Sequence, residues 1–345
     1  MGRLTIVLLF IVFWIFGLYG CNSQKDKDID KPTQQLDKLF PLKRNGKYGF
    51  INRTGKFVIK PQFNAALMFS DSMAQIELDG KWGFIDTKGT IVIKPQYEFT
   101  EVGYFHEGLA IIIVDGLEGY IDKTGKIVIP FQYESIGEFS EGLSAVKLNG
   151  KYGFIDKSGK FVIEPKFESA GSFHEGLASV QINKKDGYIN KNGDIVITPQ
   201  FDATKDFYEG MAAVEVSKKW GYINTKGEMI IPPQFDDTWR FSEGLADVTI
   251  NKKIGYINKS GQIVIQPLYD YADHFSEGLA LVGIKRGQPI SFLHYGYVDM
   301  TGKIVIETKF ISAYNFSDGI ALVQVDWRGI DEYIDKTGKF LTIQE

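Results

Sequence analysis

The sequence predicts an all-β tandem array of about nine three-stranded units, and three observations carry that prediction. An aromatic residue, mostly within Gly-aromatic-Ile, recurs at Phe50, Phe84, Tyr120, Phe154, Tyr188, Tyr222, Tyr256, Tyr297 and Tyr333, at intervals of 34, 36, 34, 34, 34, 34, 41 and 36 residues. Such a fixed period is the mark of a repeat architecture. The 26 Phe and 17 Tyr residues favour strands over helices. Segments such as Ala178, Val180 and Ile182, alternating with Ser179 and Gln181, carry the period-2 pattern of strands. A length of 345 residues, which alone suggests about two ordinary domains, is better divided by the repeat.

The chain opens with a basic tip (Met1 to Arg3) and an apolar run from Leu4 to Leu18, then Leu18-Tyr19-Gly20-Cys21 and a polar stretch. These are the parts of an export signal. The segment resembles a bacterial lipoprotein leader, with residues 1–21 as signal peptide and Cys21, the sole cysteine, as the lipidated first mature residue. A multiply acylated cysteine is a firm anchor, since each buried methylene contributes about 0.8 kcal/mol; an uncleaved hydrophobic anchor is the alternative. Residues 22–38 read as a charged tether. Its start, Gln24-Lys25-Asp26-Lys27-Asp28, is similar to the surface-export signal of Bacteroidetes lipoproteins. The resemblance implies a lipid-anchored protein of the bacterial envelope, at the outer membrane and exposed on the surface, with the membrane as one partner.

From residue 39 to 345 each unit reads in the same order. The first strand, typified by Lys81 to Asp86, ends at Asp or Asn in all nine copies and runs into Asp-x-x-Gly. There the acidic or amide side chain accepts a nearby backbone N–H and Gly takes a left-handed conformation. The second strand follows, as in Ile91-Val92-Ile93, and Pro95 and its equivalents mark its end because Pro donates no ladder hydrogen bond. A connector leads through Phe-Ser-Glu-Gly-Leu-Ala (at Phe139, Phe241 and Phe275, with variations) into the third strand. Asn149-Gly150, a strong hairpin signal, turns that strand into the first strand of the next copy, so the copies zip together.

The combination of Lys81-Trp82-Gly83, Thr-Gly-Lys, Pro-Gln-Phe and Glu-Gly-Leu-Ala at fixed spacing resembles the WG (KWG) repeat family. The resemblance implies a β-rich bacterial repeat, often extracytoplasmic, and brings no catalytic residues. Two architectures fit: an open superhelical array, or a closed propeller-like toroid. Three strands in 34 residues fall short of a usual propeller blade, and the last copy stops after its second strand, so the open array is the expectation.

Composition narrows the chemistry. A single Cys excludes an internal disulfide framework and the usual Cys-based zinc sites. With 39 basic and 43 acidic residues and no basic run, nucleic acid is not an expected partner. No nucleophile elbow, HExxH, phosphate loop or dinucleotide fingerprint is present, so no catalytic residue, metal or cofactor is expected. His106 and His174 share a slot with Ser and Tyr in other copies and read as exposed loop positions. Glu107, Glu141, Glu175, Glu209, Glu243 and Glu277, with Asp71 and Asp318, read as one structural ladder. The variable slots of the third strand (Gln75, Ile111, Lys147, Gln181, Glu215, Thr249) read as outward-facing. Seven extra residues between Phe275 and Tyr297 make Lys285, Arg286, Gln288, Phe292 and His294 the candidate interaction loop.

The resulting expectation is a non-enzymatic protein-binding or scaffolding surface on an envelope lipoprotein. Two rivals stand beside it: a glycan-binding module using exposed Trp239 or Trp327, and an envelope hydrolase with carboxylates from neighbouring repeats.

Overall fold

The computed structural model describes residues 38–287, 292–326, 329 and 331–344. The leader, Cys21 and residues 22–37 of the tether lie outside the described residues, as do Gln288 and Trp327. The rest is all-β, built as nine separate antiparallel sheets. In chain order, blades 1 to 9 span residues 40–63, 65–97, 102–133, 135–167, 169–201, 203–235, 237–269, 271–310 and 312–335.

Blade 4 shows the pattern. Strand a (Ser135–Ile136) pairs with b (Leu143–Leu148), b with c (Lys151–Asp156), and c with d (Phe161–Phe167). Strands a and b come from one sequence copy, c and d from the next. The expected pairing of the third strand with the following first strand is the b–c ladder. The ladder then stops at strand d, so hydrogen-bonded sheets do not zip the copies into one ribbon. Seven of the nine sheets have four strands rather than three.

Strand a was hidden in the connector because its turn is unusual. Glu141 and Gly142 both have positive φ (52° and 84°), forming a tight two-residue hairpin closed by Ser140 N–H to the Leu143 carbonyl at 3.0 Å and the reverse bond at 3.2 Å. Asn, Asp or Gly normally fills the first of those positions. Strand d likewise runs through its Pro to the following aromatic instead of ending there. It is an edge strand, where Pro is tolerated. A register shift between Tyr152 and Phe154 marks a bulge at that point. The bulge explains the motif glycine: a Cβ on Gly153 would lie 2.5 Å from the Ile163 carbonyl oxygen and 2.7 Å from Pro165 N.

The nine sheets close into a ring, which overturns the open array. Residues 1–38 aside, the chain begins with a b strand (Phe40–Arg44), and its last copy supplies the c strand Asp331–Asp335 with residues 340–342 alongside. The truncated end therefore completes a blade. Blade 9 meets blade 1 through a parallel bridge, Gln344 N–H donating to the Gly55 carbonyl at 2.9 Å. Phe40, Leu42, Ile51, Ile320 and Tyr333 form a buried cluster across the same seam.

Each blade is covered on both faces by its neighbours. Cores therefore lie between blades; Phe154 and Phe167 of blade 4 pack with Phe173, Ala178 and Ile189 of blade 5. This is why the third-strand slots do not face outward as a set. Gln75 is only 2% exposed, and Ile111, Lys147, Gln181, Glu215 and Thr249 are half-buried.

Candidate axial binding belt

The a strands of blades 2 and 3 touch, and at later junctions strand a meets strand c of the preceding blade. The a strands mark the edge facing the ring axis, while strand d carries paired exposed residues such as Ile195 and Val196 at the perimeter. Three bonds repeat at the junctions. The Phe at the end of strand a or just after it (the strand-a Phe) packs on the Gly-aromatic side chain of the preceding blade, as Phe173 does on Phe154 with ring centroids 4.9 Å apart. The next Ser donates to a carbonyl of the following blade, Ser140 Oγ to Phe173 O at 2.6 Å. The Glu then accepts the following blade's turn N–H, Gly176 N to Glu141 at 3.1 Å, and pairs with Lys191 at 3.0 Å. The acidic ladder is thus a set of junction acceptors, which offsets the cost of holding Glu in a left-handed conformation.

Against this regular frame, the two residues before the strand-a Phe differ in every blade: Leu67-Met68, Gly103-Tyr104, Gly137-Glu138, Gly171-Ser172, Lys205-Asp206, Trp239-Arg240, Asp273-His274 and Tyr314-Asn315. In blades 6 to 9 they build a connected polar belt. His174 Nδ1 lies 3.5 Å from Asp206 Oδ2 of the next blade. The Arg240 guanidinium covers the Tyr208 ring at 4.6 Å, and its Nη2 is 3.0 Å from His274 Nε2. Since Arg only donates, that nitrogen accepts, and His274 Nδ1–H donates to Asp273 Oδ1 at 2.6 Å. Asn315 Nδ2 donates to the other Asp273 oxygen at 2.9 Å. Lys205 sits 4.6 Å over Trp220 and 4.0 Å over Trp239, bonded to Asp237 at 3.1 Å and to the Thr238 carbonyl.

The belt's charges are perturbed by burial. Burial raises the Asp206 carboxyl against the pull of His174 and Arg240. For Asp273 burial acts upward too, but the bonds from His274 and Asn315 outweigh it and hold the group low. Asp247, 4% exposed on strand b of blade 7, is pushed up to about 7 by burial and then by the Asp273 charge. Its Oδ1 has no hydrogen-bond partner. The corresponding slot holds Ala145 in blade 4 and Ala213 in blade 6.

The sequence-predicted histidines are not exposed loop residues. His106 and His174 side chains are 20% and 28% exposed and face Glu138 and Asp206 across a junction. The slot tolerates Ser, His or Tyr because each side chain faces the next blade. The insertion mostly lengthens a hairpin, with strands Leu279–Arg286 and Phe292–Asp299 paired out to Arg286 and Phe292. Lys285 N–H donates to Asp270 at 2.9 Å, Arg286 Nη2 to Thr308 at 2.6 Å, and His294 Nδ1 lies 3.2 Å from the Phe292 carbonyl. Phe292 is exposed. This hairpin lies at the b–c turns, away from the a–b turns, so it does not join the belt. No cluster of three metal-ligating side chains occurs among the described residues.

A model of the WG containing repeat matches residues 48–82, 82–117, 119–152, 152–185, 187–220, 220–253, 254–285 and 295–326. The chain belongs to the WG-repeat family. The Gly of its WG motif is the residue on which the strand-d bulge rests, and the Trp slot (Trp82, Trp220) lies beside it. No curated protein sequence matches. Solved structures offer distant likenesses. Dihydro-heme d1 dehydrogenase NirN is 13% identical, over 83% of this chain and 75% of that one, at a TM-score of 0.47. Kluyveromyces lactis Hsv2 is 10% identical, over 66% and 96%, at 0.41. PorZ, a surface component of the type-IX secretion system of Porphyromonas gingivalis, is 8% identical, over 86% and 46%, at 0.38. None of these bears on what the WG-repeat ring binds.

Proposed function

We propose that this WG-repeat propeller is a non-enzymatic protein-binding platform of the bacterial envelope, held to the membrane through Cys21, with the axial belt of blades 6–9 as its recognition surface. One observation carries the reading: beside a recurring junction frame, the pair of positions before the repeat Phe changes identity from blade to blade, and in blades 6 to 9 it assembles aromatic and charged groups. Repeat scaffolds commonly keep a constant frame and vary the binding surface. The repeated carboxylates favour binding over catalysis, because Glu141 and its equivalents are engaged at junctions and Asp156 and its equivalents in turns.

The test is crosslinking on intact cells with the natural chain and with Trp239→Ala. A partner protein captured by the first and lost from the second, with unfolding curves alike, is the expected result; equal capture would reject the belt. For the anchor, Cys21→Ser should abolish incorporation of labelled fatty acid and release the protein from membranes. A glycan reading stands second, favoured by the Trp239 indole, which is 52% exposed. It requires saturable glycan binding that persists in high salt and disappears in the same Trp239 variant.

A further inference from the structure

Beneath the belt lies a buried carboxylate, Asp247, with an unpartnered oxygen; His174 Nδ1 and Asn315 Oδ1 are likewise unpartnered, but only Asp247 can carry a negative charge. Asp247 could be Ala, as in blades 4 and 6, with no loss of any bond its carboxylate makes to the fold at Oδ1. An under-satisfied buried acid lowers stability, and such rule-breaking concentrates at functional positions. The surroundings show which ligand would relieve it. Trp239 lies directly across the ladder, its backbone N–H donating to the Asp247 backbone carbonyl at 3.3 Å, and cross-strand partners share a face. On blade 8, the Asp273 side chain is 26% exposed and fixed in orientation by His274 and Asn315. One junction earlier the protein displays its own version of the occupant: the Lys205 ammonium of blade 6 rests on Trp239 and Trp220 beside Asp237. Blade 7 has no such lysine to offer blade 8, because its residue at that position is Trp239 itself.

We infer that the blade 7–8 junction is a receptor for a cationic side chain, lysine or arginine, of the partner protein, contacted by the Trp239 indole and the Asp273 carboxylate with Asp247 supplying negative charge beneath. This rests on the belt being the recognition surface. A cation over an aromatic face gains most where it is partly desolvated, and here two carboxylates add to that attraction. The groups facing Asp247 are Lys205 and Tyr222 from blade 6, Asp237 and Tyr256 on blade 7, and Tyr271 and Asp273 on blade 8. Of these only Lys205 is cationic, and it is already bonded to Asp237 and Thr238. A cation arriving at Asp273 therefore draws Asp247 into its ionised form and releases its proton.

The probe is Nα-acetyl-lysine methylamide, titrated calorimetrically into the full chain at pH 6.5, where Asp247 is mostly protonated, in two buffers of different ionisation heat, with the norleucine analogue as uncharged control. The inference expects saturable binding of the lysine probe alone, proton release on binding, and about tenfold weaker binding without proton release in Asp247→Ala. Equal binding by that variant, equal binding of norleucine, or no binding by the natural chain would each overturn it. Loss of a captured partner in Trp239→Ala, alongside a failed lysine titration, would sink the receptor while leaving the belt in place.

Discussion

Eight junctions join successive blades through a shared aromatic contact, to which seven add an acid-to-glycine bond, whereas the seam between blades 9 and 1 reaches the same end by different ones. At the inner junctions a strand-a Phe covers the preceding blade's aromatic at 4.7–4.9 Å. At the seam Phe40 of strand b does this, edge-on to Tyr333 at 5.6 Å, from a slot that holds Ala or Ser in every other blade. Inside the ring Tyr188 OH donates to the next blade's Lys205 carbonyl at 2.6 Å; at the seam Tyr333 OH donates to Pro41 at 3.0 Å. The Glu-to-Gly bond that links blades 4 and 5 has no seam counterpart among the described residues. Asp318, Arg53 and Lys339 line a cavity of about 470 Å³ there instead. The difference teaches that the junction chemistry is redundant, and that closure needs an aromatic plug, a phenol bond and a short bridge, not an exchanged strand.

The sharpest way to break the comparison is to remove the plug. Phe40→Ala should cost about 3–5 kcal/mol, as large-to-small core changes do. Amide exchange should accelerate first in Phe40–Arg44 and Asp331–Asp335, while Phe173→Ala at an inner junction should loosen blades 4 and 5. Uniform acceleration in both variants would show that the seam is no different from the rest.

A change of opposite sign comes from Asp247. Its folded pKa lies above the model-peptide value of 3.8, at about 7. The folded state therefore binds the proton more tightly, and stability falls as pH rises from about 4 through 7. Asp247→Ala should consequently stabilise the ring at pH 8, by up to about 4 kcal/mol at 1.36 kcal/mol per pKa unit, and much less near pH 4. Parallel pH profiles for the two proteins would count against the buried, under-satisfied carboxylate. The smallest expected effect is at one regular junction: Glu141→Gln should cost about 1 kcal/mol, since it weakens one charge-assisted bond and one exposed ion pair. Denaturant midpoints at low and high salt would separate the two contributions.

Much of this frame was legible beforehand, and the misses have physical reasons. The Asp-x-x-Gly turns, the Asn149-Gly150 hairpin and the core aromatics follow local rules that act within a few residues. Strand a escaped because Glu141 occupies a left-handed turn position, and what stabilises it there is Gly176 and Lys191, on the next blade. Ring closure escaped because it depends on Phe40 meeting Tyr333, residues almost a whole chain apart. Aligned copies differ in identity at the pair before the repeat Phe, a signal that shows only once the copies are superposed, whereas the insertion at Lys285 to His294 announces itself by length.

Each blade draws strands a and b from one sequence copy and c and d from the next. Gaining or losing one copy by duplication or deletion would therefore leave no strand unpaired, wherever in the array it happened. Every junction would be rebuilt from halves already present, and only the angle between blades would change. How many blades the ring contains is then decided at a single place, by whether Phe40 and Gln344 can still reach their partners. Ring size in such a molecule can change in whole steps without passing through a broken fold, while each added copy brings one new, freely chosen pair of residues to the axis.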